Sequence, residues 1–317
     1  MNKFDKKIAI TTGDVNGIGA EITLKALDKI GLKKDNVILI SNKDVLNFYG
    51  TENYKAEYEL FEIDFDKKNI LPGQLTKESG EFCFQSLKKA CQIAKTGEID
   101  AIVTAPVSKE ALYMAGHNFN GQTEVLQEFL AQRWQHAEML FVAKDFRVLL
   151  LTRHVALKEI ELKKEKIIEK ISDLNVFFKT KLKIKAPKFA LCAFNPHAGE
   201  GGILGREEIE ILTPAVNFLK ENEIDVTLPL PADTLFIEGG KNYLSNKKMP
   251  YDCYIACYHD QGLIPIKTIA SDKTVNMTIG LDVIRTSPCH GTAFDIAGKN
   301  LANENSMIEA ILQALSV

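Results

Sequence analysis

The chain has 317 residues, 45% hydrophobic and 26% charged, which is enough apolar material for one large or two ordinary globular domains and too much for a disordered chain. A formal net charge of −3 gives no general attraction to nucleic acid or anionic membranes, so an anionic ligand needs a local cluster of cations. No run approaches the ~18 apolar residues of a spanning helix, the opening MNKFDKKIAITTGD lacks a secretory h-region, and the six cysteines are too sparse for a disulfide scaffold; a cytoplasmic protein with reduced, mostly buried thiols is expected.

In chain order, Lys6–Thr11 predicts a buried strand and Gly17–Ile30 the helix after it. Val37–Ser41 is the next strand, and Glu78–Lys95 is a long amphipathic helix leading to the strand Asp100–Ala105. Further strands are predicted at Glu138–Ala143, Phe146–Thr152, Lys188–Ala193 and Asp252–Tyr258, with helices at Gln122–Trp134, Leu157–Phe178, Glu207–Glu221 and Asn303–Leu315. The lysine-rich stretch Lys158–Lys185 keeps apolar residues at helical spacing (Leu162, Ile167, Ile171, Leu174), so it reads as a solvated helix face and not as a nucleic-acid patch. Strands alternating with helices of this length imply an α/β protein with a largely parallel sheet.

The glycine cluster Thr11–Glu21 (TTGDVNGIGAE) lies between a strand and a helix, where free N–H groups meet an anion, but its order is not G-x-G-x-x-G. A tight strand-to-helix turn explains it equally well. Of the six histidines, His154, His197 and His259 each follow a strand-like run. Ligands of open parallel sheets bind beyond the carboxyl ends of strands, so these imidazoles are candidates for one divalent-metal site, while Cys253 and Cys257 read as core thiols. Lys267 and Arg285 flank apolar runs and are candidate partners for phosphate or carboxylate, or else surface ion-pair residues. In Cys289–Gly298 (CHGTAFDIAG) the small residues permit close approach of a flat ring, and Asp295 is a carboxylate suited to a ribose hydroxyl.

Together these segments resemble the 4-hydroxythreonine-4-phosphate dehydrogenases of pyridoxal 5′-phosphate biosynthesis. The resemblance runs through TTGDVNGIGAE (11–21), TAPVSK (104–109), GQTE (121–124), TRH (152–154), NPHAGEGG (195–202), LPADTLF (230–236), YHDQG (258–262), VNMTIGL (275–281) and IRTSPCHGTAFDIAG (284–298). More distantly, GIGAE and HGTAFDIAGKNLAN resemble segments of the isocitrate and isopropylmalate dehydrogenases. The resemblance implies a two-lobed α/β/α fold of the isopropylmalate-dehydrogenase kind, with its active site in the interlobe cleft. One lobe would comprise 1–125 and 265–317, and the other, with metal ligands and dimer contacts, 126–264.

It further implies metal ligands at His154, His197 and His259, one of them supplied by the partner of a homodimer whose active site lies at the subunit boundary. Gln122, Thr123, Lys267, Asn276 and Arg285 would bind substrate, and His290, Gly291, Thr292, Ala293 and Asp295 the cofactor. NAD is expected, with NADP as the alternative, and zinc before Mg²⁺, Mn²⁺ or Co²⁺. Lys267, Asp233 and Asp260 are the candidates for the base. Two departures stand out: Gln122 replaces the family's usual His, and Cys289 its usual Asp. The implied reaction oxidises 4-phosphooxy-L-threonine to a 3-oxo acid, which decarboxylates to 3-amino-2-oxopropyl phosphate. The alternatives are a dehydrogenase for 4-phosphothreonate or 4-phosphoerythronate, a non-catalytic metal- or ligand-binding relative, and, more weakly, a metal-dependent hydrolase.

Overall fold

Short β-branched runs become strands and amphipathic runs become helices in the computed structural model, which describes residues 6–50, 58–132 and 135–317. From the N-terminus come β1 (Ile8–Thr11), α1 (Gly19–Ile30), β2 (Val37–Ser41), α2 (Lys43–Tyr49), β3 (Glu59–Glu62), α3 (Lys77–Thr96), β4 (Ala101–Thr104), α4 (Lys109–Met114) and α5 (Gln122–Leu130). Then follow β5 (Glu138–Ala143), β6 (Phe146–Leu150), α6 (Lys164–Thr180), β7 (Lys188–Leu191), α7 (Thr213–Glu221), β8 (Asp225–Val226), α8 (Ala232–Leu244), β9 (Cys253–Ala256) and α9 (His259–Ala270). The chain ends with β10 (Val275–Ile279), β11 (Ile284–Pro288) and α10 (Asn305–Ser316). It divides into two compact units, Met1–Ala137 with Val275–Val317, and Glu138–Thr274.

In the first unit the strands run β3-β2-β1-β4-β11-β10. All neighbours are parallel except β10, which returns antiparallel beside β11. Residues of β1, β2 and β4 are buried on both faces, so they read as continuous apolar runs and not as alternation. Ala9, Ile38, Ile40 and Ile102 pack against Ala90, Cys91 and Ala94 of α3 and Leu126 of α5. On the opposite face, Thr286 donates to the Ala310 carbonyl of α10 at 2.8 Å. The side chains of Asn276, Thr278, Arg285 and Ser287 therefore share the α3/α5 face, because cross-strand partners point the same way.

The second unit orders its strands β5-β6-β9-β7-β8. A hairpin joins β5 to β6, and β6, β9, β7 and β8 are parallel. Its core stacks Phe146 edge-on against Tyr254 (centroids 5.2 Å) and Phe178 against Phe189 (5.3 Å). Helix α9 packs back onto β6 and β9 at Gly262, where a Cβ would stand 2.8 Å from Leu150 and Val148 side chains. No described helix is long and apolar enough to cross a membrane.

Several predicted helices change. The stretch 157–178 divides into a single 3-10 turn at Leu157–Glu159 and α6, and 207–221 opens with a π-helical turn at Glu208–Leu212 before α7. The helix expected from Gln122 ends at Leu130, and Arg133 and Trp134 at its expected far end lie outside the described residues. Helices α2, α4, α8 and α9 carry no signal strong enough to predict. In α9, Gly262 and Pro265 interrupt the helical pattern, yet packing on two strands outweighs their propensity. Cys257 lies one residue past β9 and not on it, and both it and Cys253 are buried core thiols, pushed up by burial.

Candidate functional site

The second unit gathers imidazoles at the carboxyl ends of adjacent strands. His154 follows β6, His259 opens α9 directly after β9, and His197 follows β7, the next strand along. The His154 and His259 rings lie 5.3 Å apart, tilted by 39°. Nδ1 of His259 is 2.7 Å from the Asp260 carboxylate. If that nitrogen carries the proton, Nε2 keeps its lone pair for a metal, the usual arrangement of a metal-ligating histidine. His197 is exposed on its own loop, and among the described residues no three His, Cys, Asp or Glu side chains of one chain are grouped around a single point.

Backbone anchoring explains why these ends are well placed. Gln261 accepts from Cys257 N (2.7 Å) and donates to the Ala193 carbonyl (2.7 Å), tying the start of α9 to the end of β7. Thr152 donates to the Cys257 carbonyl at 2.7 Å, fixing the turn before His154. Of the base candidates, Asp260 is engaged with His259, Lys267 is half-buried on α9, and Asp233 is exposed in the first turn of α8.

The first unit holds a buried cation. Arg285, 2% exposed, donates through Nε to Thr104 Oγ1 (2.8 Å) and through Nη1 to Thr278 Oγ1 (3.5 Å). Burial pulls its pKa down to about 10, against the raising influence of Cys289 and Glu124. It is not the surface ion-pair residue that a charge beside an apolar run also allows. Gln122 donates to the Ala105 carbonyl at 3.1 Å, which fixes its amide orientation and leaves Oε1 buried. That oxygen, and Asn276 Oδ1 on the Arg285 face, have no hydrogen-bond partner among the described residues. Thr123 is buried beside Gln122 at the start of α5.

The glycine cluster is a packing hub, and four of its N–H groups are used within the fold. Asp14 N donates to Pro106 O (2.9 Å), Asn16 N to Asp14 Oδ1 (2.9 Å), Gly17 N to Asp14 O (3.1 Å) and Ile18 N to Thr292 O (3.0 Å). A Cβ at Gly17 would stand 2.9 Å from that Thr292 oxygen, so only glycine lets the two segments touch. Glu21 accepts from Ala302 N at 2.8 Å, joining the helix after the cluster to the NLAN segment. Docked in this way, the loop turns His290, Gly291 and Asp295 outward, with Thr292 and Ala293 half-buried and open space beside Gly291. Asn16 and Glu208 escaped the reading of the sequence. Their signal was only adjacency to motifs, since hydrogen bonds to distant backbone leave no periodicity.

Polar groups gathered at the carboxyl ends of parallel strands, in each of two compact units, define a ligand-binding α/β protein of the open parallel-sheet kind. The family model "Pyridoxal phosphate biosynthetic protein PdxA" matches residues 11–314, and the chain belongs to that family. It is 37% identical over 324 residues to the 4-hydroxythreonine-4-phosphate dehydrogenase of Sulfurihydrogenibium sp. (strain YO3AOP1), covering 98% of this chain and 97% of that one. It is 35% identical over 333 residues to the D-threonate 4-phosphate dehydrogenase of Cupriavidus necator, covering 99% and 97%. The crystal structure of 4-hydroxythreonine-4-phosphate dehydrogenase from Klebsiella pneumoniae superposes with a TM-score of 0.85 at 32% identity, covering 100% of this chain and 99% of that one.

Proposed function

We propose that the protein is an NAD-dependent, divalent-metal-dependent 4-hydroxythreonine-4-phosphate dehydrogenase. It oxidises the 3-hydroxyl of 4-phosphooxy-L-threonine, and the resulting 3-oxo acid loses CO₂ to give 3-amino-2-oxopropyl phosphate. The observation that carries the reading is Arg285: a guanidinium buried in a sheet, whose hydrogen-bond partners among the described residues are threonine hydroxyls, suits an anionic ligand. Around it, the partnerless Gln122 and Asn276 oxygens suit the hydroxyl or ammonium donors of such a substrate. Arg285 takes the phosphate, and Gln122, Thr123 and Asn276 orient the carbon chain. Lys267 supplies a further cation.

The donor set of the second unit fits a divalent ion: two imidazoles face each other at ligand-pair distance, one steadied by a carboxylate. When bound, such an ion supplies Lewis-acid stabilisation of negative charge on the substrate oxygen during oxidation and decarboxylation. His154, His197 and His259 would hold it, zinc being the ion best matched to imidazole nitrogen. Asp260 orients His259, which leaves Lys267 and Asp233 as the groups to test for proton removal. NAD accepts the hydride when bound, and the exposed Gly291 backbone with Asp295 fits its ribose.

Among the described residues of one chain two imidazoles come together and not three, and exposed Val155 and Leu157 follow His154, while exposed Ile203, Leu204 and Ile209 lie past the His197 turn. Their occupant is a second copy of the chain, which completes the metal set in a cytoplasmic homodimer. The test is steady-state NADH formation by the Zn²⁺-, Mn²⁺- or Mg²⁺-loaded protein with 4-phosphooxy-L-threonine, 4-phosphothreonate and 4-phosphoerythronate. Preference for the first is expected; a strong preference for either sugar-acid phosphate would replace the reading with a sugar-acid phosphate dehydrogenase, which the neutral Gln122 amide leaves open.

A further inference from the structure

The loop that carries His197 is built on a carboxylate with no part in the reaction just described. From His197 to Gly201 every residue has left-handed backbone, with φ of 52, 55, 75, 45 and 68°. His197, Ala198 and Glu200 are not glycine, and their Cβ atoms make left-handed backbone unfavourable relative to right-handed backbone. A run of this kind persists only where its surroundings dictate it.

Those surroundings centre on Glu208, which is 5% exposed in the π-helical turn that begins there. Its Oε1 accepts from Phe194 N (2.8 Å) and Asn195 N (2.7 Å), and its Oε2 accepts from Asn195 Nδ2 (3.0 Å). Both backbone N–H groups ahead of Pro196 are therefore fixed by one side chain, and Pro196 fixes the next φ. The turn then folds down onto the same carboxylate. A Cβ on the buried Gly199 would stand 2.7 Å from Glu208 Oε2. His197, two residues earlier, is left on the exposed side.

We propose that Glu208 is a positioning residue: by gripping the chain just ahead of the left-handed turn and packing beneath Gly199, it presents the His197 imidazole for metal binding. The inference rests on reading His197 as a metal ligand. It is tested by titrating the full-length protein with Co²⁺ and following the visible absorption of the bound ion. Glu208→Ala is expected to weaken Co²⁺ binding about 10–100-fold, the range for loss of an outer partner of a metal ligand. His197→Ala should weaken it at least as much, and the double variant no further than His197→Ala alone, because one effect runs through the other.

Wild-type affinity in Glu208→Ala overturns the proposal. So does a full additional loss in the double variant, which would make Glu208 a general support of the fold. Wild-type affinity in His197→Ala would overturn the metal reading itself and this proposal with it. If Glu208→Ala does not fold, Glu208→Gln serves: it keeps an acceptor for Phe194 N and Asn195 N but sets an amide against Asn195 Nδ2. A several-fold loss that vanishes in the His197→Ala background supports the role, and no loss refutes it.

Discussion

Arg285 and Asp14 are charged residues placed where water cannot reach them, and each makes its own prediction. A buried guanidinium hydrogen-bonded to neutral hydroxyls costs stability and returns it on binding phosphate. Arg285→Met is therefore expected to lower kcat/KM for the phosphorylated substrate by about 10²-fold or more, while the melting temperature without ligand holds or rises. NADH formation and a thermal melt check the two halves. Asp14 is fully buried, and burial raises its carboxyl from 3.8 to about 6 against the pull of the Asn16 N–H and of hydrogen bonds from Ser79 and Ser108. An acid raised on folding favours the folded state while it is protonated, fully below 3.8, and that contribution is lost as pH rises through about 6. Asp14→Asn cannot ionise, so it should gain stability relative to the wild type as pH rises from about 4 to about 7, by up to about 3 kcal/mol. Melting curves across that range decide it, and a constant difference would refute it.

At the scale of elements, the cofactor loop is positioned by contact with the first strand-to-helix turn. Gly17→Ala would press a methyl against Thr292 O at 2.9 Å and Thr292 Cβ at 3.0 Å. The KM for NAD is expected to rise several-fold, with the KM for the phosphorylated substrate unchanged. Helix α9 teaches a related lesson about legibility. Its glycine and proline hide it in the sequence, but Gly262 is what allows it to lie on Val148 and Leu150 and to carry His259 at the end of β9. The strands were easier to read, because burial on both faces writes a run of β-branched residues that needs no partner to be recognised.

For the whole molecule, the prediction concerns association. Ile203 is 80% exposed beside the His197 turn, so an aspartate there costs the single chain little and an apolar interface much. Ile203→Asp is expected to keep its melting temperature within a few degrees, sediment as a monomer and lose NADH formation in step. An active Ile203→Asp monomer would refute completion of the metal set by a second copy.

The sequence by itself determined the α/β alternation, the positions of β1, β2, β4, β5, β6, β7 and β9, and the motifs NPHAGEGG, YHDQG and CHGTAFDIAG, because hydrophobic period and short chemical patterns are local properties; β3, β8, β10 and β11 carried no such signal. The tertiary structure decided what those motifs touch. It brought His154 to 5.3 Å from His259 across two parallel strands, buried Arg285 between two threonine hydroxyls, and docked Thr292 on the Ile18 N–H of the glycine cluster. It also placed a buried carboxylate, Glu208, beneath the left-handed turn at His197. Each of these depends on which chain segments lie side by side, and that is fixed by packing of the whole core and not by any residue's neighbours in sequence.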